Sequence, residues 1–228
     1  MSAYVFGLNA VLNLLLPPES DGPLNLLCLG AHADDVEIGC GGSILRLLAE
    51  RPSTKVCWIV FSGNDRREAE ARRSAAAFLG CSSAAARIEI FGFRDGYFPF
   101  CGAELKDRFE ELKQQFQPSL IFTHYRNDAH QDHRMIAELT HCTFRNHLVL
   151  EYEIPKYDGD LGNPNIFLPL GREHVFRKVE LLLSHFVSQA ARQWFDEATF
   201  LAMARLRGVG CNATTGFAEA FYSSKLVI

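Results

Sequence analysis

The chain has 228 residues, of which 48% are hydrophobic and 22% are charged, and its formal net charge is -4. This composition excludes an intrinsically disordered chain, and the length fits a single domain over residues 1–228 with one large core. The negative net charge argues against nucleic acid as a partner, because nucleic-acid-binding proteins usually present a basic face. We therefore expect a small-molecule ligand.

The seven cysteines are scattered along the chain, several of them within apolar runs, and no Cys-x-x-Cys pair occurs. This pattern is typical of buried, reduced thiols in a cytoplasmic protein. It does not favour a cysteine nucleophile or a thiolate metal site.

The apolar N-terminal segment has no Lys or Arg in its first twenty residues, so it lacks the positively charged region of a signal peptide. It is also too short, and too interrupted by Pro17 and Pro18, to span a membrane. We predict no membrane association and expect this segment to form a helix or an extended arm that packs on the domain.

Apolar runs alternate with amphipathic segments over the first two thirds of the chain. Buried strands are predicted at 24–32, 55–62, 87–93, 119–125 and 147–154. Helices are predicted at 39–50, 65–79, 104–116 and 132–146. This β-α repeat predicts an α/β fold with a Rossmann-like, doubly wound, mostly parallel sheet and helices on both faces.

The pattern changes after the fifth predicted strand. Turn residues at 155–165 predict a long surface loop near the site rather than a linker between domains. Two further helices are predicted at 171–187 and 189–207, and the alternating tail at 218–228 predicts a last strand.

A group of polar residues follows the first predicted strand. The segment AHADDVEIGCGG contains His32, Asp34, Asp35 and Glu37 at the point where this strand meets the first helix. Ligands bind beyond the carboxyl ends of the strands in such sheets, and imidazole and carboxylate groups both suit zinc. The alternative is an ordinary helix start, in which Asp34 or Asp35 caps the helix and the acids favour its dipole.

Two histidines open the helix after the fourth predicted strand, in the segment THYRNDAHQDHRMIAEL. His130 and His133 are three residues apart and share one helical face, so both can reach a single site. The first and fourth strands are neighbours in a doubly wound sheet, which puts the two polar groups side by side. His32, Asp35 and His133 can then supply the three protein ligands of a catalytic zinc site. A solvated helix start is the alternative for this segment.

The two segments together resemble the motifs of the PIG-L/LmbE-like de-N-acetylase family. That family has AHPDD before a Gly-rich helix start, here AHADD at 31–35, and HxDH, here HQDH at 130–133. Ala33 replaces a proline that stiffens the turn but supplies no functional group. The resemblance implies an LmbE-like fold and a zinc-dependent hydrolase. Its reaction would remove an N-acetyl group from an amino sugar of the N-acetylglucosamine type by attack of a zinc-bound hydroxide.

The resemblance also implies a role for each residue of the first motif. His32 and Asp35 would bind zinc together with His133, although Fe²⁺ or another divalent ion fits the same ligands. Asp34 would be the general base that accepts a proton from the attacking water.

Further roles follow from the second motif and from two later loops. His130 would stabilise the oxyanion or act as an acid, and Asp132 would orient the ring of His130. Arg66 or Arg67 and, after the third strand, Asp95 match positions at which the family binds sugar hydroxyls. For the two arginines a solvated helix start is an equally good interpretation.

Other functions remain open at this point. An amidase that cleaves a larger acyl group or a cysteine-conjugate amide would use the same metal site. A Rossmann-type nucleotide-binding protein would need G-x-G-x-x-G after the first strand, where this chain has GCGG. A non-catalytic metal-binding protein would lack a base, whereas Asp34 is present. The family resemblance also allows a homo-oligomer.

Overall fold

The structure is a computed structural model that describes residues 22–80 and 86–226, and the predicted N-terminal helix or arm lies outside these ranges. The strands are β1 (Asn25–Gly30), β2 (Lys55–Ser62), β3 (Arg87–Phe93), β4 (Leu120–His124), β5 (Leu148–Tyr152), β6 (Ile166–Leu170) and β7 (Phe217–Tyr222). The helices are α1 (Asp35–Glu50), α2 (Asp65–Leu79), α3 (Gly102–Gln115), α4 (Gln131–Thr143), α5 (Arg172–His185) and α6 (Glu197–Gly210). Short 3-10 turns occur at Phe98–Phe100 and Val187–Gln189.

The strands of the described ranges form one sheet in the order β3-β2-β1-β4-β5-β7-β6. β1 pairs in parallel with β2 and β4, and the pairs β2–β3 and β4–β5 are also parallel. β7 pairs antiparallel with β5 and β6. The chain therefore runs outward from β1, returns to β4 and continues in the other direction, with the topological switch point between β1 and β4. The predicted doubly wound, mostly parallel fold is confirmed.

Alternate residues of β1 face two separate layers of helices. Leu26 and Cys28 pack in a core with side chains of α1, α2 and α5. Leu27 and Leu29 pack in a second core with side chains of α3 and α4. The sheet is thus covered on both faces, as its nearly continuous apolar strands require. Within the described residues, no helix is both long enough and apolar enough to cross a membrane.

Three elements, β2, α2 and β3, have the predicted boundaries, whereas the C-terminal part differs. The predicted start of the last helix at 189 is wrong: α6 begins at Glu197, because the Asp196 carboxylate accepts from the N–H of Thr199 and caps the helix there. β6 is not among the predicted strands. It is short, lies at the edge of the sheet and contains Pro169, a residue that sheets tolerate at an edge.

The first helix begins earlier than its apolar stripe suggests. The predicted start is residue 39, but the N–H of Ile38 already donates to the carbonyl of Asp34 at 3.0 Å, and α1 begins at Asp35. Asp35 therefore lies in the first turn of a helix rather than in a loop. The helix fixes the position of Asp35 beside the end of β1.

The glycines of α1 allow the helix to pack closely on its neighbours. A Cβ atom on Gly39 would overlap the ring of Tyr152, and one on Gly41 would lie 2.6 Å from the ring of Phe78. The Tyr152 hydroxyl donates to the carbonyl of Leu29 at 2.6 Å. The contact between Gly39 and Tyr152 thus fixes α1, β1 and β5 relative to one another next to the polar motifs.

We predict that Gly39→Ala destabilises the protein by about 1–3 kcal/mol, because the added methyl group forces α1 away from Tyr152. A loss of stability is informative because, without this contact, alanine in place of glycine within a helix raises the free energy of unfolding by about 1 kcal/mol. Gly92→Ala is the control, because a Cβ at Gly92 meets no atom within 4 Å. Urea unfolding of both variants measures the free energy of unfolding. Equal values for the two variants would contradict the packing role of Gly39.

Candidate active site

The two polar motifs meet at the carboxyl ends of β1 and β4. His32 follows β1, and Asp35 is the first residue of α1. His124 is the last residue of β4, and His133 lies in the first turn of α4. Asp35, His124 and His133 are buried, and His32 is nearly so. Both motifs therefore contribute side chains to one buried cluster at the switch point of the sheet.

Three atoms of this cluster form a small triangle. His32 Nδ1 lies 3.1 Å from His133 Nε2 and 3.3 Å from Asp35 Oδ2. The third side, from His133 Nε2 to Asp35 Oδ2, measures 3.6 Å. Ligands about 2.0–2.1 Å from a tetrahedral zinc ion lie about 3.3–3.4 Å apart. The residues present therefore fit a divalent cation with the predicted set of protein ligands.

The charge states of the three groups also suit a cation. Burial and the neighbouring His124 lower the pKa of His133 to about 4, so its imidazole is neutral at pH 7. Burial opposes the charge of Asp35, but three surrounding histidines hold its pKa well below the ordinary value. Burial also disfavours a charged His32, yet Asp35 and two other carboxylates raise its pKa well above the ordinary value. A cation at this position must therefore displace a proton from His32.

Two more histidines lie close to the triangle. The ligand atoms of His130, His32 and His133 lie within 4.8 Å of one another, and so do those of His124, Asp35 and His133. His124 stacks on His133 with 3.9 Å between ring centroids. Its Nε2 atom accepts from a backbone N–H, that of residue 31, at 2.9 Å. Because that lone pair is already used, His124 is better suited to support the ligands than to replace one.

A chain of charged groups contacts His133 at Nδ1, the ring nitrogen that is not part of the triangle. His133 Nδ1 lies 2.9 Å from Asp128 Oδ2, which leaves Nε2 to face the site. Lys156 lies 3.1 Å from Asp128 and 2.6 Å from Asp160, and Asp160 accepts from the N–H of Ala129 at 2.7 Å. The loop at 155–165 thus lies near the site, as expected. Asp128 and Lys156 are not among the predicted site residues; the nearness of Asp128 to the HxDH motif is the signal that could have identified it.

The Asp34 carboxylate pairs with one of the two candidate arginines. Arg67 Nη2 lies 2.7 Å from Asp34 Oδ1, whereas Arg66 contacts Glu70 at 3.7 Å and its side chain is 69% exposed. The structure brings Arg67 to the site and leaves Arg66 on the surface. Asp34 occupies the N-cap position of α1, but its side chain makes no capping hydrogen bond. The interpretation of Asp34 as a simple helix cap is therefore excluded.

Glu37, the last acidic residue of the first motif, lies outside the triangle. It is fully buried in α1, and burial raises its pKa well above the ordinary value. Burial thus favours the protonated form of the Glu37 carboxyl group, whereas the histidines around Asp35 favour its charged form, so Asp35 is the better cation ligand of the two.

The Asp132 carboxylate has a different partner from the predicted one. The sequence suggests that it orients the ring of His130, but Asp132 Oδ2 instead lies 3.4 Å from His32 Nε2. Its two oxygens also accept from the N–H groups of Gly96 at 2.6 Å and Phe98 at 3.1 Å. His130 caps α4, because its Nδ1 accepts from the N–H of Asp132 at 3.2 Å. Asp132 is buried and so orients His32 while it ties the loop between β3 and α3 to the site.

Asp95 lies on this loop and reaches the same histidine. Asp95 Oδ1 is 3.1 Å from His32 Nε2, and the Asp95 side chain is 75% exposed. The hydrogen bond from His32 lowers the pKa of Asp95 despite its partial burial. Asp95 thus offers a carboxylate to solvent at the edge of the site, where a bound molecule can reach it.

The family model of the GlcNAc-PI de-N-acetylases, PIG-L, matches residues 27–143, which is more than half of the chain. The chain belongs to this family. The matched stretch runs from β1 to the end of α4 and contains both motifs. The chain is therefore a member of a deacetylase family.

One similar protein is named a deacetylase, and two solved structures have a similar fold. The uncharacterized deacetylase YaiS of Escherichia coli (strain K12) is 25% identical over 189 residues, which is 78% of this chain and 99% of the relative. The structure resembles the N,N'-diacetylchitobiose deacetylase from Pyrococcus horikoshii, with a TM-score of 0.69, 19% identity and coverage of 90% and 85% of the two chains. It also resembles the 4-carboxy-2-hydroxymuconate hydratase GalB from Pseudomonas putida KT2440, with a TM-score of 0.70, 18% identity and coverage of 90% and 98%. Both structures share the fold of this chain.

We predict that Arg67→Met raises the pKa of Asp34 further, because a nearby arginine favours the charged carboxylate. The adjacent Arg66→Met is the matched control, since Arg66 pairs with Glu70 instead. Carboxyl ¹³C NMR of the metal-free protein, with labelled aspartate, measures the pKa directly. An unchanged Asp34 pKa in Arg67→Met, or the same shift in both variants, would contradict the pairing.

Proposed function

We propose that the protein is a divalent-metal-dependent hydrolase that removes an N-acetyl group from an amino sugar. The observation that carries this proposal is the triangle of His32 Nδ1, Asp35 Oδ2 and His133 Nε2, with sides of 3.1 to 3.6 Å. Asp34 lies next to it in the sequence and is free of any capping role. A metal site with an adjacent carboxylate is the arrangement needed for water to attack an amide.

We assign the metal to His32, Asp35 and His133, and we favour zinc because two imidazoles and one carboxylate are usual ligands of catalytic zinc. Iron(II) accepts the same ligands. When bound, the cation would polarise the amide carbonyl and make a coordinated water more acidic. Asp128 supports this assignment, since its hydrogen bond at 2.9 Å holds the His133 ring with Nε2 towards the site.

Asp34 is our proposed general base. Burial raises the pKa of Asp34 above the ordinary value, although Arg67 opposes the shift. A carboxylate with a raised pKa is a stronger base than an ordinary aspartate, which suits it to accept a proton. Asp34 therefore takes a proton from the attacking water as the oxygen bonds to the carbonyl carbon. The same proton then passes to the sugar nitrogen as the C–N bond breaks, which yields acetate and a free amine.

His130 is our proposed donor to the oxyanion. Burial and the neighbouring His32 lower the pKa of His130, so the ring is neutral at pH 7. Its Nδ1 accepts from the N–H of Asp132, and the single proton of the neutral ring therefore resides on Nε2. An Nε2–H group can donate to the negative charge that develops on the former carbonyl oxygen. Asp132, which we first linked to His130, acts instead by holding His32.

The proposed contacts with the sugar involve residues at the edge of the site. Asp95 offers a carboxylate to sugar hydroxyl groups, and Arg67 lies in the site, where it pairs with Asp34 of the first motif. The family is named for an N-acetylglucosamine conjugate, and the Pyrococcus horikoshii enzyme is named for a disaccharide of the same sugar. An amide of a larger acyl group would use the same metal and base, and the release of acetate distinguishes the two substrates.

The proposal predicts that Asp34→Asn retains the metal but loses activity. Replacement of a general base typically lowers the rate by about 10²–10⁴-fold. Metal content is measured by elemental analysis, and acetate release is followed with a panel of N-acetylglucosamine conjugates. Arg66→Met serves as the control variant, because its side chain is exposed and paired with Glu70.

Two results would contradict this proposal. A metal-loaded wild-type protein that releases no acetate from any conjugate, but hydrolyses a longer acyl amide, would replace the deacetylase with an amidase. An Asp34→Asn variant with wild-type activity would show that another group accepts the proton.

A further inference from the structure

A cavity of about 260 Å³ lies between α4, β5 and the tail that follows β7. Three basic side chains line it, those of Arg126, Arg145 and Lys225, together with His141 and His147. No acidic side chain is among the described residues that line the cavity. The whole chain has a formal net charge of -4, so this concentration of positive charge is local. We call this cavity the basic cavity.

The positive charge of the basic cavity is only partly neutralised. The buried Glu151 carboxylate lies 2.7 Å from His141 Nε2 and 4.0 Å from Arg126 Nη2. Arg145 Nε donates to a backbone carbonyl of α4 at 3.2 Å, and Lys225 donates to the carbonyl of Arg145. Neither Arg145 nor Lys225 forms an ion pair with another described residue. One carboxylate therefore balances one of three cations, and the remaining charge attracts an anion.

Backbone contacts hold the parts of the basic cavity in place. Asn165 donates to the carbonyl of Ser223 at 3.0 Å and accepts from the N–H of Ser223 at 2.9 Å, which fixes the tail just before Ser224 and Lys225. The hydrogen bond from Lys225 to the carbonyl of Arg145 joins this tail to the loop between α4 and β5. The fold thus brings cations from separate segments of the chain to one cavity, as a preformed binding site requires.

The basic cavity is separate from the candidate active site. His141 is eight residues after His133 on α4, which corresponds to about 12 Å along the helix. Arg145 and His147 lie between the end of α4 and the start of β5, at the edge of the sheet opposite the triangle. The described residues that line the cavity include none of the groups that we assign to the metal, the base or the sugar.

We propose that the basic cavity binds the phosphate group of a small molecule. Guanidinium groups match phosphate oxygens with paired N–H donors, and an ammonium group adds a point charge. The Ser224 hydroxyl can donate to a further oxygen. Three cations less one carboxylate leave an excess of two positive charges, which matches the charge of about -1.5 to -2 on a phosphate monoester at pH 7. This inference does not depend on the proposed function.

The test measures the binding of inorganic phosphate and of glycerol 3-phosphate by isothermal titration calorimetry. It compares the wild-type protein with the double variant Arg126→Met/Arg145→Met, in which both replaced side chains are exposed. We expect saturable binding to the wild type and about tenfold weaker binding to the double variant, because charge-assisted hydrogen bonds to phosphate are lost. Equal affinity in the two proteins would place the phosphate elsewhere, for example at the proposed metal, and would overturn the proposal.

The two probes distinguish the source of the phosphate group. Binding of both supports a phosphate monoester as the ligand, whereas binding of inorganic phosphate alone supports the free ion. A wild-type protein that binds neither probe would overturn the proposal.

The double variant Arg108→Met/Arg177→Met is the matched control, because it removes the same charge elsewhere. The Arg108 and Arg177 side chains are 46% and 49% exposed, close to the 48% of Arg126, and they pair with Glu111 and Glu180. We expect this control to bind phosphate as the wild type does. A loss of affinity as large as that of Arg126→Met/Arg145→Met would show a response to net charge alone, and would overturn the proposal.

NMR spectra of the histidine rings locate the bound phosphate independently of the variants. We expect inorganic phosphate to shift the ring signals of His141 and His147, which line the cavity, and to leave those of His174 on α5 unchanged. Sodium chloride at the same ionic strength controls for screening. Equal shifts in chloride, or unchanged His141 and His147 signals while phosphate binds, would overturn the proposal.

Discussion

The parallel pairing of β1 with β4 brings the two polar motifs together. The register places Leu26 opposite Leu120 and Cys28 opposite Phe122, so the two strands end at the same edge of the sheet. His32 and His133 are a hundred residues apart in the chain, yet their ring nitrogens lie 3.1 Å apart at this edge. The ligand triangle and the contact of Asp132 with His32 both depend on this adjacency, whereas the pairing of Asp34 with Arg67 depends on the neighbouring β1–β2 pair.

Neighbouring groups hold two buried carboxylates of the site in their charged form. The Asp35 carboxylate is surrounded by three histidines, and Asp128 lies between His133 and Lys156. Each of these carboxylates has a pKa below its ordinary value, although burial acts in the opposite direction. A buried charge without such partners would cost several kcal/mol. The same arrangement that keeps Asp35 charged gives the divalent cation that we propose a negatively charged ligand.

The β-α repeat could be predicted because the period of the apolar residues is a local pattern, and the place of the site could be predicted because its polar residues follow strand ends. The roles of Asp132 and the arginines could not, because side chains choose partners by three-dimensional distance: Asp132 reaches His32, and Arg67 rather than Arg66 reaches Asp34. Asp128 and Lys156 act through such contacts as well. The edge strand β6 and the late start of α6 depend on tertiary pairing and on one capping carboxylate, which an apolar pattern does not reveal.

The most direct test of the account is the position of the metal. Crystals of the zinc-loaded protein, measured on both sides of the zinc absorption edge, give an anomalous difference map. We predict one peak about 2.0–2.2 Å from His32 Nδ1, His133 Nε2 and an Asp35 oxygen. A peak on the other side of the ring, where His32 joins Asp95 and Asp132, would contradict the assigned ligands, as would a map with no zinc peak.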